Sequence, residues 1–100
     1  MKIAFVYNDY NDVRGISTVM EVSERYVYSI GSEISWVNTK GNPVINMSDG
    51  SSVYVLPVSK GIPDLKEYDK VYIDKTIESF METTHFGNKI ESYNKDSFKN

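Results

Sequence analysis

Apolar residues fall in short blocks whose period changes along the chain. Lys2 to Tyr7 (Lys-Ile-Ala-Phe-Val-Tyr) is nearly continuous, the pattern of a strand buried on both faces of an α/β sheet. Asn8 to Gly15 is a polar loop. The spacing then turns helical. Val19, Met20, Ser23, Tyr26, Val27 and Ile30 share one face, with Glu21, Glu24 and Arg25 opposite. Thr18 and Glu21 fit a capping box, and Gly31 stands where a C′ glycine belongs, so a helix is expected from Thr18 to Ile30. The β-prone Tyr26-Val27-Tyr28 leaves a strand over Arg25 to Ile30 as the competing reading.

Glu33 to Asn38 follows as a strand, then a polar stretch with turn signals at Gly41-Asn42-Pro43 and Asp49-Gly50. Val44 and Ile45 suit a short hairpin arm within it. Val53 to Val58 and Tyr68 to Asp74 are strands, Thr76 to Phe86 a second helix, and Lys89 to Tyr93 a last short strand. This alternation predicts one Rossmann-like α/β domain over residues 1–93, with a mostly parallel sheet, two main helices and a frayed tail over 94–100. A small α+β or β-barrel-like domain is the alternative. One connection strains the first reading: a parallel crossover between Asn38 and Val53 wants a helix, and no helical period is present there.

Composition narrows the function classes. The 100 residues suit one domain with one core. No apolar run approaches the roughly 18 residues of a membrane span, and Asn8-Asp9 follow the first strand in place of a cleavage site. The absence of cysteine excludes disulfides, zinc thiolates and thiol nucleophiles, and fits a cytoplasmic protein. A net charge of -3 argues against general nucleic-acid binding. One alanine, two leucines and eight tyrosines suggest an AT-rich, viral-type source, hence a host cytoplasm.

Met1-Lys2-Ile3-Ala4-Phe5-Val6, the loop ending Arg14-Gly15-Ile16-Ser17-Thr18, and Gly31-Ser32-Glu33-Ile34 leading into Trp36-Val37 resemble the opening of GT-B (double-Rossmann) glycosyltransferases, including phage-type ones. Tyr68-Asp69 before Val71-Tyr72-Ile73 resembles the start of that family's fourth strand. The resemblance implies a stand-alone N-terminal lobe. Such a lobe would bind an acceptor or a partner without completing catalysis, because the family holds its nucleotide-sugar donor mainly in the second lobe.

Ligands of open parallel sheets sit beyond the carboxyl ends of the strands. That rule selects Asn8 and Asp9, Asn38 and Thr39, Ser59 and Lys60, and Asp74 and Lys75. The loop into the first helix adds Arg14, Gly15 and Ser17, suited to a sugar or phosphate at a helix N-terminus. Turn formation is the plainer role for the same Asn and Asp residues. Dinucleotide, P-loop and EF-hand spacings are absent, so no cofactor or metal is expected. Asp74 is the one catalytic candidate, and an N-cap role competes with it. His85, the single histidine, has no ligand cluster around it. Tyr10 and Tyr28 are the tyrosines placed for a protein partner or self-association. The second function class is therefore a small viral-type protein that binds and modulates a host protein.

Overall fold

The computed structural model describes residues 1–9, 15–39, 42–60, 67–76, 84–85 and 88–99, with backbone alone at 38, 39, 42, 60, 84, 85, 88 and 89. The chain order is β1 (Lys2–Tyr7), α1 (Ile16–Ser29), β2 (Ile34–Thr39), β3 (Asn42–Met47), β4 (Ser52–Pro57), a 3-10 turn (Val58–Lys60), β5 (Lys70–Asp74), β6 (Thr84–His85) and β7 (Asn88–Tyr93). The strands form one sheet in the order β2-β3-β4-β1-β5-β7-β6.

The domain is α/β, but its sheet is mixed. Strand β1 runs parallel to β4 and β5, and β5 parallel to β7. The pairs β2-β3, β3-β4 and β6-β7 are antiparallel. The expectation of a mostly parallel sheet is thereby corrected. A meander through β3 carries the chain from β2 back to β4, so the stretch between Asn38 and Val53 needs no crossover helix. Its second turn is set by Asp49-Gly50. Gly50 takes φ 90°, and the Asp49 carboxylate accepts the Ser51 N–H at 2.9 Å. That bond holds the Asp49 carboxyl below the usual carboxylate range.

Helix α1 is the only α-helix among the described residues. It begins at Ile16, two residues before the expected start. Gly15 is its N-cap and makes no side-chain cap bond. Thr18 already donates its N–H to the Gly15 carbonyl at 3.0 Å, so it lies in the first turn and no capping box forms. The other end follows the sequence. Gly31 takes φ 78° and donates to Tyr28 O at 3.0 Å, while Ser32 donates to Val27 O at 3.3 Å, a Schellman closure. Of the expected second helix, residues 77–83 and 86–87 lie outside the described residues. Thr84 and His85 are spent in the β6-β7 ladder, so that helix does not extend over them.

Both faces of β1 are buried. Ile3 and Phe5 join Val19, Val22, Tyr26 and Val27 of α1 and Val53, Val55 and Tyr72 of the neighbouring strands. Ala4 and Val6 face the other way, with Val58, Tyr68, Val71, Ile73 and Ile90. The amino ends are tied as well. Lys2 N–H donates to Asp69 Oδ2 at 2.8 Å, and Asp69 N–H returns a bond to the Lys2 carbonyl at 2.7 Å. The Lys2 ammonium lies 5.3 and 5.2 Å from the Tyr54 and Tyr68 rings and 3.6 Å from Glu67.

The tail expected to fray is instead a turn packed on α1. Asn94 N–H bonds Ser97 Oγ at 2.9 Å. The Arg25 guanidinium donates to the carbonyls of Ser97 and Lys95 at 3.0 and 2.9 Å. Phe98, at φ 63°, sets its ring 5.2 to 6.4 Å from those of Tyr26, Tyr72 and Phe5. A polar composition hid one aromatic anchor and a run of carbonyls open to an arginine.

Three outcomes are expected from this packing. Phe98→Ala should cost about 2 kcal/mol, less than a fully buried Phe→Ala, in urea unfolding. Gly31→Ala should cost about 1 kcal/mol in the same assay, because its left-handed backbone disfavours a Cβ. Burial, with the nearby Tyr26 and Glu91, raises the Tyr72 phenol well above its ordinary 10.0. Stability is therefore fully present below about pH 10 and falls as pH rises further, where the unfolded chain releases phenolic protons that the folded chain keeps. Alkaline unfolding monitored by circular dichroism should shift to higher pH in Tyr72→Phe.

Candidate functional site

Strand connections change sides at β1. From β1 the chain leaves toward the β2-β3-β4 side, and from β4 it passes across β1 to β5. The space beyond the carboxyl ends of β4, β1 and β5 is thus the switch point of the sheet, the place where open α/β sheets form a crevice for ligands. Side chains from all three strand ends meet there.

Asn8, directly after β1, is buried at 6% exposure. Its Nδ2 donates to Thr76 Oγ1 at 3.1 Å, across the ends of β1 and β5. Thr76 Oγ1 donates in turn to Asp74 Oδ1 at 3.0 Å, and the Thr76 N–H reaches the same oxygen at 3.0 Å. Asp74 is fully buried at 0% exposure. The backbone bond closes an Asx turn at the end of β5, and the helix that Asp74 would cap lies outside the described residues. Asp74 also takes the one proton of the Thr76 hydroxyl, whose oxygen accepts from Asn8, so the three side chains lock the ends of β1 and β5 together.

Asp9 ties β1 to β4. Its Oδ1 accepts the Ser59 N–H at 2.9 Å and its Oδ2 accepts the Ser59 hydroxyl, at the start of the 3-10 turn. Its charge, second to burial, raises the Tyr7 phenol above the ordinary tyrosine value. Below, the Tyr93 hydroxyl donates 3.1 Å to the Val6 carbonyl, pinning β7 to the last turn of β1. The loop toward α1 therefore leaves from a fixed base at Asn8-Asp9 and ends at Gly15.

Gly15 is exposed with φ -65° and ψ 150°, a conformation open to any residue. A Cβ built there would meet only Ser17 Oγ, at 3.8 Å. No local strain demands glycine. Ser17 is exposed, and no acidic side chain stands in the first turn of α1. Lys60 ends the 3-10 turn on the same side of the sheet. Arg14 and Tyr10 lie outside the described residues. Asn38 and Thr39 end β2, at the far edge of the sheet, so they are separated from the crevice by β3 and β4.

Tyr28, 60% exposed, stands apart from the crevice at the other end of α1. With Arg25, Ser29, Phe98 and Lys99 it lines a depression of about 330 Å³. Sequence reading missed Thr76 as a site residue, because a residue after a strand reads as a helix start. The Asp74-x-Thr76 spacing, an aspartate two residues before a hydroxyl, was the available signal.

Among the described residues no group of three or more His, Cys, Asp or Glu is placed to hold a metal, and no helix is long and apolar enough to cross a membrane. Comparison with protein-family models, curated proteins and solved structures found no match.

Thr76→Val keeps the shape of the side chain and removes the hydroxyl that bonds Asn8 and Asp74. It should lower stability by about 1–3 kcal/mol in urea unfolding, the cost of depriving buried polar groups of a partner.

Proposed function

We propose that this chain is a binding domain whose crevice at the ends of β4, β1 and β5 takes a small hydroxyl- or phosphate-bearing ligand, the class a glycosyltransferase N-terminal lobe would hold. The supporting observation is the hydrogen-bonded series Asn8–Thr76–Asp74, which holds the ends of β1 and β5 in fixed positions at the switch point of the sheet. The opening of α1 beside it adds the positive end of a helix dipole, with Gly15 leaving its backbone uncovered.

Binding without turnover is the better reading of the same geometry. The Asp74 carboxylate is sealed from solvent and serves Thr76, and the Asp9 carboxylate serves Ser59. A general base must reach the proton it removes, and Asp74 is enclosed too deeply to touch a bound substrate. It acts as a positioning residue.

Thermal unfolding in the presence of nucleoside-diphosphate sugars, sugar phosphates and inorganic phosphate tests this. Saturation at about 100 times Kd should add roughly 2.7 kcal/mol of stability and raise Tm. Gly15→Ala should leave the ligand-free Tm within about 0.5 kcal/mol of its original stability, as a change in open space does. It should nevertheless diminish the ligand-induced rise. If none of these ligands raises Tm, the reading fails.

A further inference from the structure

We propose that the chain forms a two-fold symmetric dimer by pairing the free edge of β2 with β2 of a second copy, antiparallel and centred on Trp36. Strand β2 ends the sheet, and among the described residues it pairs with β3 alone. Which of its backbone groups face outward follows from the bonds at its start. Ser48 N–H donates to the Glu33 carbonyl at 3.1 Å, so Glu33 points toward β3. Alternation then turns Ser35, Val37 and Thr39 toward β3 and leaves the N–H and C=O of Ile34, Trp36 and Asn38 pointing away from the sheet. The opposite side of β3 agrees. Met47 N–H donates to the Ser51 carbonyl at 2.9 Å, toward β4, and Pro43, of the same parity, has no N–H to offer where that ladder stops at Val44↔Tyr54.

The outward groups are self-complementary. With Trp36 opposite Trp36 of the second copy, Ile34 falls opposite Asn38 and Asn38 opposite Ile34. Every outward N–H and C=O of the strand then meets a partner, and a two-fold axis relates the halves. Faces match too. Trp36 packs on the α1 side of both copies, while half-exposed Val37 meets Ser35 on the other side.

Edge strands in monomers carry protection: a lysine, a proline, a bulge or a very short length. Ile-Ser-Trp-Val-Asn-Thr has six residues, no charge and no proline, and its register with β3 is continuous from Ile34 to Thr39. That is the build of a strand meant to be paired. The two-fold axis reverses the second copy end for end, so the two crevices face opposite ways and each stays within one chain. Dimerisation and ligand binding are therefore separable.

Disulfide trapping reads the register directly, because the chain has no cysteine of its own. Ser35 of one copy and Val37 of the other form the close, non-hydrogen-bonded pair that a disulfide bridges best. Mixing Ser35→Cys with Val37→Cys under mild oxidation should give mainly the mixed dimer, with each variant alone cross-linking at least tenfold more slowly. Sedimentation of the unmodified chain should show dimer at high concentration. Asn38→Pro removes an outward N–H without touching the β3 ladder and should return the chain to monomer, with its circular dichroism unchanged. A chain that sediments as monomer at every concentration overturns the proposal. So does preferential cross-linking of either cysteine variant with itself.

Discussion

The ring of Phe5 is the contact on which the rest of this domain depends. It lies at the middle of β1, fully buried, 4.8 Å from the Tyr72 ring of β5, 5.2 Å from Tyr93 of β7 and 5.7 Å from Tyr26 of α1. Phe98 of the C-terminal turn closes the group at 6.4 Å. One side chain thus joins two strands, the helix and the tail. Burying a phenylalanine contributes roughly 1.5–3 kcal/mol, and each aromatic pair adds up to about 1.5 kcal/mol more. Valine and isoleucine make up most of the buried core, and Tyr26, Tyr68, Tyr72 and Tyr93 supply its other large rings. A buried tyrosine hydroxyl must be led to a partner, as Tyr93 is led to the Val6 carbonyl.

The crevice inherits its order from the same strand. Because β1 is fixed from both faces and both sides, its carboxyl end is a stable platform, and Asn8 and Asp9 extend from it to Thr76 and Ser59. The same network engages the Asp74 carboxylate, the one catalytic candidate of the sequence, with the Thr76 hydroxyl. Rigidity at this end and the engagement of that carboxylate are one and the same fact. What lies beside these tied strand ends is the exposed start of α1.

Much of the strand layout was legible along the chain. Lys2 to Tyr7 read as a strand buried on both faces because its hydrophobicity does not alternate, and the structure seals Ile3, Ala4, Phe5 and Val6 alike. Gly31 announced the end of α1, since a Schellman closure needs a left-handed residue. The start of α1 was misplaced because Thr18 and Glu21 imitate a capping box, while the real N-cap, Gly15, has no side chain to signal it. The hairpin arm at Val44-Ile45 was legible from the turn signals on either side of it, but its pairing with both β2 and β4 was not, because a strand's own residues report burial and not its neighbours.

Local patterning therefore determined where most strands lie and where the helix ends, because period and turn chemistry act within a few residues. Tertiary structure alone decided the mixed sheet, the docking of Phe98 and Arg25 and the join between Asn8 and Thr76. Asn8 and Thr76 stand 68 residues apart and Arg25 and Ser97 stand 72 apart, beyond the reach of any local signal, whereas the hairpins that make the sheet mixed are short-range and only their place in the sheet is a tertiary choice. Asp74 shows the division most plainly. The sequence placed it at a strand end, and only the tertiary structure buried it and set its carboxylate against the Thr76 hydroxyl.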